Sequence, residues 1–174
     1  MTRHSQRQRL PSRFGWCLAA ASIILAATVA TTATVRQGQA TQEDEERLAR
    51  VGEEMTEKLC DTACHTLDKV YEKRRTPREW GEVMTQMATA GAAATDAQFA
   101  TVKRYLIRYF GIVPVNTATA DELSAVLGLS PKDAKAIVDH RNTHGPFKDT
   151  ATLLKVPGID KAKIEAQPEA LVFK

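Results

Sequence analysis

The stretch Cys60-Asp61-Thr62-Ala63-Cys64-His65 holds the side chains of this chain most able to bond a cofactor or a metal. Cysteines at i and i+4 share one face of a helix, so both sulfurs can approach a single object. Three chemistries are open to them. The thiols can add across two vinyl groups of a porphyrin while the neighbouring imidazole binds the iron, the covalent attachment of a c-type haem. They can form a disulfide in an oxidising compartment, although a bridge between adjacent helical turns closes too short a loop to gain much. Or they can join His65 in a metal site, for which the sequence shows no evident fourth ligand. The usual haem-attachment spacing leaves two residues between the thiols, and this chain has three. A six-coordinate iron also needs a ligand from the opposite side of the ring. Met87 is the first candidate and Met84 the second, with plain core packing as the other use of both.

Helices must position these groups, and the flanking sequence supplies them. Leu48, Val51, Met55 and Leu59 recur at helical spacing and lead into Cys60. Thr76, Pro77 and Glu79 spell the N-cap, first-turn proline and capping-box partner of a second helix, which carries Trp80, Val83, Met84 and Met87 and stops at Gly91. Thr95 with Gln98 opens a third, running through Phe99, Val102, Leu106 and Tyr109 to Gly111. Pro114 keeps Ile112–Val115 extended.

From Asn116 the punctuation tightens. Thr119 and Glu122 box a helix that ends near Leu127-Gly128-Leu129, and Ser130-Pro131 opens the next, with Ala134, Ile137 and Val138 inside it. After Gly145-Pro146, Asp149 or Thr150 caps a short helix containing Leu153 and Leu154. Val156-Pro157-Gly158-Ile159 turns, and Asp160 caps a last helix cut short by Pro168. No strand pattern of useful length is present, so the fold class is all-α. Short helices joined by glycine turns are the pattern of a tandem helix-hairpin-helix. Its glycines permit close backbone approach, and the amides opening the second helix can hold a phosphate. Gly128, Ser130, Lys132 and Gly158 are therefore candidate DNA-phosphate residues. Ser130 and Asp160 stand where each turn would carry its second glycine. A serine there still caps its helix and reaches a phosphate, whereas an aspartate sets a carboxylate in the anion's place.

The net charge of +3 suggests a basic protein, but its distribution says otherwise. Residues 1–40 hold five Arg and no acid, residues 41–111 hold 11 basic against 13 acidic side chains, and residues 112–174 hold 8 against 8. Charge alone thus gives no case for nucleic-acid binding. Residues 1–40 read as an export signal: Arg3, Arg7, Arg9 and Arg13 precede an uncharged run, Phe14–Val35, and Gly38-Gln39-Ala40 fits a cleavage site. The run is also just long enough to span a bilayer, so a retained tether to the inner membrane through residues 14–35 is the alternative. Either way the body is expected in the periplasm or another extracytoplasmic space. Cys17, within the apolar run, is expected to be inert.

Two resemblances follow from these motifs. The Cys/Cys-His helix, the basic stretch Lys73-Arg74-Arg75, Glu79-Trp80 with Met87 seven residues beyond the tryptophan, Gly91 and the closing Tyr105-Leu106 helix resemble the small class I cytochrome c domains of quinohaemoprotein dehydrogenases. That likeness, over about residues 48–111, implies one covalent haem c, with Cys60 and Cys64 as thioether anchors and His65 and Met87 as iron ligands. The extra residue between the cysteines departs from it. The motifs from Val115-Asn116-Thr117-Ala118 through Asp160 resemble the ComEA competence DNA-receptor family, which implies sequence-independent binding of duplex DNA. The same architecture is similar to a small extrinsic subunit of photosystem II that docks protein. The expected organisation is a leader at 1–40, a cytochrome c-like domain at 41–111 and a helix-hairpin-helix domain at 112–174. The expected function is electron transfer by an exported haem protein, docked through its hairpins to an extracytoplasmic redox or docking partner, with weak non-specific duplex DNA as a further ligand. The alternative is a ComEA-like DNA-binding protein whose first domain carries no haem. No paired carboxylates, Ser/His arrangement or phosphate-cradling glycine loop points to an enzyme.

Overall fold

The computed structural model describes residues 42–60 and 65–174, so the expected leader, its 14–35 tether and Cys64 lie outside the described residues. Glu46–Lys174 make one compact unit. Helix α1 covers residues 42–60, and α2 is a single turn, Asp68–Tyr71. Helix α3, Pro77–Thr89, and α4, Asp96–Phe110, open with the capping boxes expected from sequence. Thr76 Oγ1 accepts from the Glu79 amide while Glu79 Oε2 accepts from the Thr76 amide at 2.8 Å, and Thr95 and Gln98 repeat the exchange. Each box satisfies two of the donors a helix start leaves unpaired.

Trp80 and Met84 of α3 face Val102, Tyr105 and Leu106 of α4 in the core. Helix α1 closes on the same pair at Gly52, where a methyl group would run into the Tyr105 side chain, so this mid-helix glycine trades helix propensity for contact. The buried Thr56 hydroxyl is satisfied by the Gly52 carbonyl at 2.7 Å. Burial and the neighbouring Tyr71 push the Tyr105 phenol far above its ordinary value of 10.0. The folded state then keeps a proton that the unfolded chain releases above about pH 10, so stability is intact below that pH and falls as pH rises past it. Tyr105→Phe should flatten the alkaline limb of a stability–pH curve, and an unchanged limb would show that Tyr105 does not cause it.

The chain then crosses by a short extended link. Arg75 forms a parallel bridge with Gly111, the Arg75 amide donates to the Phe110 carbonyl at 3.3 Å, and the Ile112 amide donates to the Arg75 carbonyl at 3.0 Å. Strand β1, Val113–Pro114, pairs in parallel with β2, Leu171–Val172, in the register Val113↔Leu171. This two-stranded patch departs from the all-α expectation. Segments of two residues are too short to show any period-2 pattern, which is why the sequence does not announce them.

Helices α5, Ala120–Leu127, and α6, Pro131–His144, pack together, followed by α7, Thr150–Leu153, and α8, Lys161–Glu165. Leu123, Val126, Leu127, Leu129, Ala134, Ile137, Leu153, Val156 and Ile164 are buried among them. Asn116 pins the link to the segment between α6 and α7 and to the residues after β2. Its Nδ2 donates to the Phe147 and Phe173 carbonyls, and its Oδ1 accepts from the Phe147 amide at 2.8 Å. From α4, Arg108 donates to the Val126 carbonyl and, at 2.6 Å, to Gln167 Oε1.

Candidate functional site

Two regions carry the candidate residues. The first is a cavity of about 220 Å³ whose lining includes Cys60, His65, Arg75, Trp80, Met84 and Met87. Cys60, at the end of α1, is only 1% exposed, and burial pushes its thiol above the ordinary value. A buried neutral thiol is a poor spontaneous nucleophile. His65 is half-buried and holds Nδ1 3.2 Å from the Thr66 carbonyl. Met84 is 6% exposed and Met87 half-buried, one turn apart on α3, and both reach the cavity. Four of the five side chains singled out for a cofactor, Cys60, His65, Met84 and Met87, therefore line one space. The fifth, Cys64, falls on residues that are not described.

Trp80 and Arg75 belong to this cavity as well. Trp80 is 1% exposed and its Nε1 donates to the Phe110 carbonyl at 3.2 Å. The Arg75 guanidinium lies over the indole, 4.9 Å from the ring centroid. Sequence reasoning named the basic stretch Lys73-Arg74-Arg75 but not which residue faces the cavity. The Arg74 guanidinium is instead held on the Tyr109 and Gly111 carbonyls and Glu169.

The second region is the pair of hairpin turns. Gly128 closes α5 in the left-handed conformation, φ 65°, which a glycine adopts without strain. A methyl group there would also meet the Arg108 guanidinium. Ser130 caps α6 by accepting from the Asp133 amide at 3.1 Å, and Pro131 removes one donor from that helix start. Lys132 is exposed beside them. Gly158, φ 75°, turns the chain into α8, where Asp160 accepts from the Lys163 amide at 3.3 Å.

The two turns meet. Lys163 Nζ donates to the Gly128 carbonyl at 2.5 Å, and the Asp160 amide donates to Asp133 Oδ2 at 3.4 Å. Sequence spacing carries no signal for either cross-hairpin contact. Their consequence is that the start of α8 already faces the carboxylates of Asp160 and Asp133. Lys163 is spent on the turn and Lys135 on Asp139 at 2.7 Å, which leaves Lys132 and Lys161 as the exposed lysines of these helix starts.

Residues 110–170 match the helix-hairpin-helix motif family, a binding module and not a catalytic one. The chain is 43% identical over 60 residues to an uncharacterized protein of Haemophilus influenzae, covering 34% of this chain and 54% of that one. It is 33% identical over 63 residues to ComE operon protein 1 of Bacillus subtilis, covering 36% of this chain and 31% of that protein. It is 45% identical over 53 residues to endonuclease/exonuclease/phosphatase family domain-containing protein 1 of Mus musculus, covering 30% of this chain and only 9% of the relative. No solved structure matches the chain. Residues 110–170 thus carry the helix-hairpin-helix expected from sequence, and the match begins where α4 ends. Among the described residues no helix is long and apolar enough to cross a membrane.

Proposed function

We propose that the chain is an extracytoplasmic binding protein whose hairpins hold duplex DNA without reading its sequence. The observation that carries this is the match of residues 110–170 to the helix-hairpin-helix family, with the likeness to ComE operon protein 1 over 63 residues. Contact is confined to the start of α6, through Ser130 and Lys132, because the start of α8 faces two carboxylates. Few phosphates are neutralised, so binding is weak and falls with salt at a log–log slope of about −1 to −2, one to two phosphates' worth. Asp160→Asn keeps the helix cap while removing the charge and should tighten binding roughly fivefold, the worth of about 1 kcal/mol for an exposed charge. Lys132→Glu should abolish it. Anisotropy titrations of a labelled duplex across salt concentrations test both. Tight binding at physiological salt that neither substitution alters would overturn the assignment to α6.

A second reading is favoured by one observation, the convergence of Cys60, His65, Met84 and Met87 on the same cavity. In this reading the cavity belongs to a covalent c-type haem, anchored by Cys60 and Cys64 with His65 and Met87 as iron ligands. The donor set fits: thiols and an imidazole at one end of the sequence motif, thioethers on α3, and an apolar lining of Val70, Trp80, Val83 and Leu106. When bound, the group would supply one-electron storage, and the hairpins would then dock an electron carrier to its partner. The two readings are compatible in one chain, since they use different residues.

A further inference from the structure

The thiol of Cys60, the imidazole of His65 and the thioethers of Met84 and Met87 face one cavity of about 220 Å³. Cys60 ends α1, His65 precedes α2, and the methionines lie one turn apart on the same side of α3. In sequence the cysteine–histidine stretch shows no further metal ligand; in space α3 supplies two. His65 is oriented for the task. A carbonyl only accepts, so its Nδ1, 3.2 Å from the Thr66 carbonyl, takes the proton and leaves a lone pair on Nε2. The donors select the ion. Thiolate and thioether sulfur favour monovalent copper, whereas carboxylate, carbonyl and water suit magnesium, calcium and manganese. Charge points the same way. Among the described residues the charged groups of the wall are Lys69 and Arg75, both cations. A monovalent ion on the Cys60 thiolate makes a neutral pair, which apolar neighbours such as Val70 and Leu106 tolerate. A divalent ion would leave net positive charge beside two cations.

We propose that this cavity, in the chain without haem, is a site for one monovalent copper ion, bound by Cys60 Sγ, His65 Nε2 and the Met84 and Met87 thioethers. Copper takes the place of the Cys60 thiol hydrogen, which leaves as a proton to solvent, and the ion stays monovalent throughout. Copper binding shares Cys60, His65 and Met87 with the haem reading but does not rest on it. It also enlists Met84, which has no role on the iron when Met87 is the ligand.

The test uses the full chain made without haem-attachment machinery, carrying Cys17→Ser and Cys64→Ser so that Cys60 is its one thiol. Copper(I) is presented without oxygen, with ascorbate present, as its coloured bicinchoninate complex, and loss of the colour reports transfer to the protein. This chain should take a single copper ion, and excess zinc should not displace it. Met84→Leu and Met87→Leu keep the apolar volume of α3. Each should weaken binding at least about tenfold, the scale on which losing even an outer partner of a ligand is felt. His65→Ala should do the same, and Cys60→Ser should abolish binding. Circular dichroism of the methionine variants, expected to match that of their parent, separates a lost donor from a lost fold. Copper held equally well when both methionines are leucine overturns the site, because the ion then sits on other donors. A chain that leaves all copper with bicinchoninate overturns it too. Neither result touches the haem reading, which the colour of protein from a haem-attaching host tests separately.

Discussion

If the cavity belongs to a c-type haem, protein produced in a host with haem-attachment machinery is expected to be red, with a Soret band that stays on the polypeptide after denaturation. Cys60→Ala with Cys64→Ala should release that colour completely. Cys60 is buried at the end of α1, and burial pushes its thiol above the ordinary value. A disulfide to Cys64 would close a loop with only three residues between the cysteines and stabilise little. In the haem reading, thioether formation would use both thiols and leave the adjacent imidazole for the iron. The thioethers separate by substitution: Met87→Ala should remove the weak ferric charge-transfer band and lower the reduction potential, and Met84→Ala should do neither. An exchange of these effects would move the ligand to Met84. A colourless wild type whose mass equals the bare chain sinks the haem reading and leaves the DNA reading untouched.

What the sequence shows about this protein divides along the range of the interactions concerned. Thr76-Pro77-Glu79, Thr95-Gln98, Thr119-Glu122 and Asp160 mark their helices because a cap is a contact across three residues, and its chemistry is written locally. Gly128 and Gly158 are legible for the same reason, since a left-handed turn selects glycine wherever it falls. The cavity was partly legible: α3 presents Trp80, Met84 and Met87 on one face by helical periodicity. Arg75 was not, because nothing in Lys73-Arg74-Arg75 says which guanidinium turns inward until the bridge to Gly111 sets the backbone direction. The carboxylate of Asp133 was likewise invisible as part of the second hairpin. It lies 27 residues before the amide it meets, and only the packing of the two hairpins brings them together. The role of Lys163 as the clasp on the first turn, 35 residues from Gly128, was invisible for the same reason.

Trp80→Ala should be the most destabilising single substitution in the cavity region, costing about 3–5 kcal/mol against a typical domain total of about 5–15 kcal/mol. Three losses combine. The indole is almost fully buried against α4, so its removal enlarges an existing cavity that the surroundings cannot fill. Its Nε1 satisfies the Phe110 carbonyl, which also receives the Arg75 amide. Its face carries the Arg75 guanidinium. Trp80→Phe keeps most of the apolar volume and loses the hydrogen bond, so it should cost only about 1–2 kcal/mol. Denaturant unfolding of the cofactor-free chain, followed by circular dichroism, measures both. Because Phe110 and Gly111 join α4 to the link that starts the hairpins, and Arg108 reaches under the first hairpin turn, Glu46–Lys174 should unfold in a single transition. Trp80→Ala should then lower the hairpins' stability along with that of α3 and α4. A two-step curve in which the hairpins unfold at an unshifted midpoint would show that the link transmits nothing, and a cost below about 1 kcal/mol would show that Trp80 fills the cavity without supporting the fold.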